Sequence, residues 1–222
     1  MGKITLYGID PSPPVRAVLL ALNALDVPYE YKQVNLFGGE QNADEYRKIN
    51  PTGTVPALID DGKPIWDSHA IIAYLASKYG KDDALYPKDL YQRSVVDQRL
   101  YYETGVVFER TLKGTTKPII FMNETTVPQY KIDYIAEVYE TVNRFLQEHP
   151  YTAADHLTIA DFALISSISS LQVYLASDPV KYPNLVAWIK RMEQLPYYEE
   201  ANGKGVKQFQ DLLKSKNFTI VP

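Results

Sequence analysis

The chain has 222 residues, 45% of them hydrophobic and 23% charged, with a formal net charge of −4. That balance suits a folded globular protein with one large domain or two modest ones, each with its own core. The acid excess and the lack of any lysine–arginine run argue against nucleic acid or an anionic membrane as partner. With no cysteine, a disulfide scaffold and a CxxC redox centre are excluded.

The first residues, through Tyr7, carry too short an apolar stretch for a signal peptide or a spanning helix, so the expected location is cytoplasmic. Ile4 to Tyr7 reads as a strand, and Val15 to Leu25 as a helix with Val15, Val18, Leu19 and Leu22 on one face. Tyr29 to Leu36 reads as a second strand, followed by a polar stretch with a short helix around Asp44 to Lys48. Thr54 to Ile59 and Pro64 to Trp66 flank Asp60-Asp61-Gly62, a hairpin signal, and Ser68 to Tyr79 reads as a helix closed by Gly80. That order fits a thioredoxin-like α/β domain over residues 1–80. Residues 81–89 have no periodicity and read as a linker, and residues 90–222 read as an all-α domain. There Pro128 to Leu146 and Leu185, Trp188, Ile189 and Met192 repeat a helical apolar spacing. Thr158-Ile159-Ala160-Asp161 is a loosened capping box opening the buried run Phe162 to Ala176, and Asp161 reads as a folding residue.

Ser12 stands between the first strand and a helix opening with Pro13-Pro14. A serine before proline is a favoured N-cap, and the positive end of a helix favours a thiolate over its thiol. Because the chain has no cysteine, a thiolate, if that is the chemistry, must arrive on a substrate, and glutathione is the abundant soluble candidate. Pro56 restrains Val55 to an extended backbone whose N–H and C=O are available to a peptide. Asp67-Ser68 opens the next helix, whose N–H groups suit a carboxylate while Asp67 suits an ammonium. A thiol, a peptide backbone and an amino-acid end are the three parts of glutathione.

With Leu6-Tyr7-Gly8, Ser12-Pro13-Pro14-Val15-Arg16, Trp66-Asp67-Ser68-His69-Ala70-Ile71, Leu85-Tyr86-Pro87-Lys88-Asp89, Leu157-Thr158-Ile159-Ala160-Asp161 and Leu195-Pro196-Tyr197-Tyr198, the chain resembles the cytosolic glutathione transferases. Nearly its whole length is covered, and the insect epsilon class is more similar than the delta class. The resemblance implies that Ser12 donates a hydrogen bond to the glutathione sulfur, that Val55-Pro56 is cis, that Val55 pairs with the cysteinyl backbone, and that Asp67 and Ser68 hold the γ-glutamyl group. It further implies a homodimer without a metal, acting on a small hydrophobic electrophile for detoxification.

Two departures stand out: Gly53 and Gln41 occupy positions where histidines are usual in these classes. Gly53 cannot supply the missing contact, whereas the Gln41 amide can donate, so weakened glutathione affinity is expected. Thr54 and His69 complete the expected glutathione-binding set. Tyr7 reads as a packed strand tyrosine rather than a thiol activator, and Arg16 as a structural or interdomain salt-bridge partner. The electrophile pocket is assigned to Pro14, to Phe108, Thr111 and Leu112 on the segment from Glu103, and to Phe209 on the last helix. Arg110 could reach glutathione or only solvent. Rival readings are a glutathione-dependent peroxidase or isomerase on the same site, and a non-catalytic binding protein of this fold.

Overall fold

The structure, a computed structural model, describes residues 3–222. Strand β1 (Ile4–Gly8) crosses through α1 (Pro13–Ala24) to β2 (Glu30–Gln33), which lies parallel beside it. After the short α2 (Asp44–Arg47), β3 (Ala57–Asp60) and β4 (Lys63–Trp66) form an antiparallel hairpin, giving the sheet order β2-β1-β3-β4. The turn between them places both Asp61 (φ 49°) and Gly62 (φ 76°) in the left-handed region, as tight hairpins require. Strand β3 is shorter than the sequence suggests, and Thr54, Val55 and Pro56 lie ahead of it. The Val55-Pro56 bond is cis.

Helix α3 (Ser68–Tyr79) is tied to the sheet by one carboxylate. Asp60 Oδ2, at the end of β3, accepts from Tyr74, Lys78 and Tyr79 at 2.6 to 2.8 Å. Burial alone would raise the Asp60 carboxyl, but those donors bring it below its ordinary value.

Beyond it the chain is helical: α4 (Leu90–Tyr102), a π-helical segment Glu103–Lys113, α5 (Gly114–Phe121), α6 (Gln129–Phe145), α7 (Ile159–Leu171), α8 (Pro183–Glu193), a short π turn Glu199–Gly203 and α9 (Lys204–Lys214). Periodicity does not reveal the two short strands β5 (Thr126–Pro128) and β6 (Thr219–Val221), which pair in parallel and bring the end of the chain back to the start of α6. Among the described residues no helix is long and apolar enough to cross a membrane.

Helix α7 forms the centre of this half, with every residue buried. Three of its serines satisfy their hydroxyls by donating to the preceding turn, Ser166 to Ala163 O, Ser169 to Ile165 O and Ser170 to Ser166 O. These small side chains let α1 pack closely against α7. Asp161 is fully buried and its two oxygens take five donors: Thr152 N and Oγ1, Thr158 N and Oγ1, and Trp188 Nε1, at 2.9 to 3.1 Å. It is thus both the far half of a capping box and the tie between α7, α8 and the loop at Thr152.

Arg16 crosses from α1 into the helical half. It is fully buried, donating to Asn202 Oδ1 at 2.6 Å, Ser170 Oγ at 2.5 Å and Ser169 Oγ at 3.4 Å. The expected salt bridge is therefore not what forms: its partners are neutral, and burial lowers its pKa to about 9. Gly205 makes room for it, since a Cβ there would lie 2.6 Å from Arg16 Cδ and 2.2 Å from Asp10 O.

Replacing Asp161 by asparagine exchanges one accepting oxygen for an NH2 donor that faces at least two other donors, and a loss of about 2–3 kcal/mol is expected in urea unfolding.

Candidate functional site

Between the edge of the sheet and the helical half lies a cavity of about 600 Å³, lined by Ser12, Val55, Pro56, Asp67 and Ser68 from the first half and by the π segment, α5 and α9 from the second. The three short motifs singled out in the sequence therefore meet at one place.

Ser12 sits in the turn from β1 to α1, with its N–H on Ile9 O at 3.0 Å and its carbonyl accepting from Arg16 N at 3.1 Å. It occupies the N-cap position, but its side chain makes no capping bond. The reason is local: Pro13 and Pro14 fill the first two helical positions and bring no N–H. The same prolines remove two of the donors that make a helix start attractive to an anion. The hydroxyl rather than the helix end is the main polar group Ser12 offers the cavity.

Asn50 organises the stretch before Val55. Fully buried, it donates Nδ2 to Thr54 O at 2.7 Å and to Thr54 Oγ1 at 3.2 Å, and its Oδ1 accepts from Thr52 N and Oγ1. Tyr46 OH also donates to Thr54 O, at 2.7 Å. Gly53 has φ +65°, and a Cβ there would sit 3.1 Å from both Gln41 O and Arg47 Nη2. Gln41 donates Nε2 to Leu36 O at 3.2 Å, while its Oε1 is buried without a partner. One of the two N–H donors of that amide is thus engaged within the chain.

Asp67 caps α3 with a non-glycine φ of +70°, a strained conformation of the kind that concentrates at binding sites. Its Oδ1 accepts from His69 N at 2.9 Å and Ala70 N at 3.2 Å. Those two N–H groups, expected to be open to a carboxylate, are taken. The His69 ring is held on both sides: its Nε2 lies 2.9 Å from Glu103 Oε2 and its Nδ1 2.6 Å from Thr104 Oγ1. This geometry fits a proton on Nε2 facing the carboxylate, with Nδ1 accepting from the threonine. Glu103 Oε1 accepts from Ser167 on α7, so this chain of contacts joins the start of α3 to the centre of the helical half.

The opposite wall follows the π segment. Residues reach the cavity in pairs four or five apart, Glu103 and Thr104, Phe108 and Glu109, Leu112 and Lys113, a wider spacing than an α-helix gives. Thr111, assigned to the pocket on α-helical spacing, faces away: it is buried and donates to Val106 O five residues back at 2.8 Å. Pro14, Phe108, Leu112 and Phe209 line the cavity. Arg110 points elsewhere, pairing with Glu137 at 3.2 Å and lying over the Tyr134 ring. Tyr7 does not line the cavity either, and it packs edge-on against Tyr46. Leu36, Phe37, Ile120 and Phe121 also line it and were missed, because loop residues and the end of a helix carry no periodic signal. Among the described residues no group of three histidine, aspartate or glutamate side chains could hold a metal.

A thioredoxin-like domain with a cis-proline edge, followed by a helical domain that closes a cavity over it, defines a transferase architecture. Models of the glutathione S-transferase N-terminal and C-terminal domains match residues 6–83 and 118–200. Glutathione S-transferase 1 of Manduca sexta is 41% identical over 96% of this chain and 98% of its own. An epsilon-class glutathione S-transferase from the housefly, Musca domestica, is 57% identical with a TM-score of 0.97, covering 98% of this chain and all of that one. A glutathione transferase homolog from Drosophila mojavensis, solved with bound glutathione, is 56% identical with a TM-score of 0.97 over the full length of both. The chain belongs to the glutathione S-transferase family, with close neighbours in the epsilon class.

Replacing Asn50 by alanine leaves the Thr54 carbonyl and the Thr52 donors with fewer partners. A stability loss of about 2 kcal/mol in urea, with a raised KM for glutathione, is the expected outcome.

Proposed function

We propose that this transferase ionises bound glutathione with the Ser12 hydroxyl and directs the sulfur at a hydrophobic electrophile. The observation that supports this most is that Ser12 occupies a cap position without capping, so its hydroxyl is unspent at the floor of the cavity. A free thiol with a pKa of about 8.5 must fall by roughly two units to be mostly ionised at neutral pH, which corresponds to about 2.7 kcal/mol. A helix terminus contributes about 0.3–1 kcal/mol, and here two of its donors are replaced by proline. A hydrogen bond to a charged group contributes about 1.5–3 kcal/mol, so the hydroxyl carries most of the effect.

In this reading residues 1–80 hold the tripeptide and residues 90–222 supply the apolar wall. Val55 offers its backbone to the cysteinyl unit, and Thr54 and Pro56 fix that edge. Asp67, Ser68 and the His69 turn face the γ-glutamyl end, with the free Asp67 oxygen as the ammonium acceptor. Gln41 and Gly53 border the glycyl end. Pro14, Phe108, Leu112 and Phe209 form the electrophile side. The protein acts in the cytoplasm in detoxification, as a homodimer, and sedimentation should return a dimer mass.

Ser12→Ala is expected to lower kcat/KM for conjugation of a generic aromatic electrophile by roughly 10- to 100-fold and to abolish the thiolate absorbance of the bound complex. Retention of that absorbance would assign ionisation elsewhere.

Gly53→His restores a ring donor beside the glycyl end. Calorimetry should show glutathione binding tightened by about fivefold, while the left-handed backbone at this position costs about 1 kcal/mol of stability.

A further inference from the structure

Two of the largest exposed apolar side chains meet at the mouth of the cavity. Phe37, in the loop after β2, is 61% exposed, and Phe121, the last residue of α5, is 54% exposed. Their rings are stacked, with centroids 5.8 Å apart and planes inclined by 23°, and both line the cavity. One ring comes from each half of the molecule, so the pair spans the opening through which an electrophile must pass.

A single exposed aromatic needs no explanation, but two that touch across a cavity mouth leave apolar surface in water where a ligand would cover it. The rings are nearly parallel and present flat faces. A third flat ring between them needs planes about 7 Å apart, twice the contact distance of carbon atoms, so two rings now in contact must separate by about 3.5 Å. One partner sits on a loop and the other at a helix end, and neither is locked in the core. A planar aromatic substrate exchanges one ring–ring contact for two, whereas an aliphatic chain has no face to offer and gains only buried area.

We infer that Phe37 and Phe121 form a slot that selects planar aromatic electrophiles over aliphatic ones for the reaction at Ser12. This rests on the conjugation reading of the site. For an aryl chloride, the glutathione sulfur forms the new carbon–sulfur bond and chloride leaves with the bonding pair. For an aliphatic alkenal, the sulfur adds to the β-carbon and a proton from solvent ends on the α-carbon. The slot acts on the carbon skeleton in both cases and takes no part in either bond change.

The test compares wild type with Phe37→Leu and Phe121→Leu, which keep apolar bulk and remove the ring face. kcat/KM is measured for chlorodinitrobenzene and for a long-chain alkenal, and calorimetry measures dinitrophenyl-glutathione against hexyl-glutathione. Each substitution is expected to lower the aromatic-to-aliphatic ratio three- to tenfold in both assays, and Phe37→Trp to keep it. A ratio unchanged within twofold, or an equal fall for both compounds, overturns the slot and makes the pair a brace between the two halves. Binding of the two conjugates reads the preference without turnover. Wild type that binds both conjugates but transfers glutathione to neither substrate would therefore overturn the conjugation reading and still decide the slot.

Discussion

The buried Arg16 guanidinium is the constraint on which the geometry of the site depends. It leaves α1 immediately after Ser12-Pro13-Pro14-Val15 and is held by Ser169, Ser170 and Asn202 of the helical half. The residue that fixes how the two halves meet is thus one helical turn from Ser12, which lines the cavity. A cation buried among neutral oxygens is costly, as its lowered pKa shows, and its Nε has no partner at all. What the arrangement gains is position: the five-donor guanidinium can be satisfied to this extent only when α1, α7 and the turn at Asn202 are all in place.

A second link runs at the other end of the cavity, from Asp67 through His69 to Glu103 and Ser167. Both links end on α7, whose small serines allow close approach. The cavity is therefore framed by one central helix contacted from two helix starts in the first half, α1 and α3. Asp60 completes the frame by tying α3 to the sheet, so a displacement at either helix start would be felt at the other through rigid elements.

The strand–helix order and most of the helices were legible in the sequence because they rest on simple periods, two in the sheet and about 3.6 in α6 and α8. Ser12, Val55-Pro56 and Asp67-Ser68 were legible because proline and capping residues constrain the backbone locally. The partners of these residues were not. That Asp67 spends an oxygen on His69 and Ala70, that Gln41 turns its donor to Leu36, and that Arg16 finds hydroxyls instead of a carboxylate all depend on residues brought close only by folding. Asn50 was overlooked for the same reason: an asparagine before proline reads as a turn, and nothing nearby shows that both ends of its amide will be used. Thr111 failed on a different ground. Its α-helical phase with Phe108 and Leu112 was the natural reading, but the backbone there follows another period.

That period gives this wall of the cavity an unusual degree of freedom. A helix whose carbonyls bond five residues on instead of four holds an additional residue per turn within the same span. Loss of one residue between Glu103 and Lys113 tightens one turn toward an α-helix, which changes the side chains that part of the segment turns to the cavity while the helix beyond it keeps its phase. Chain length, as well as amino-acid identity, is then a means by which such a wall can be remodelled, while α1 and α3 on the other side of the cavity keep their places.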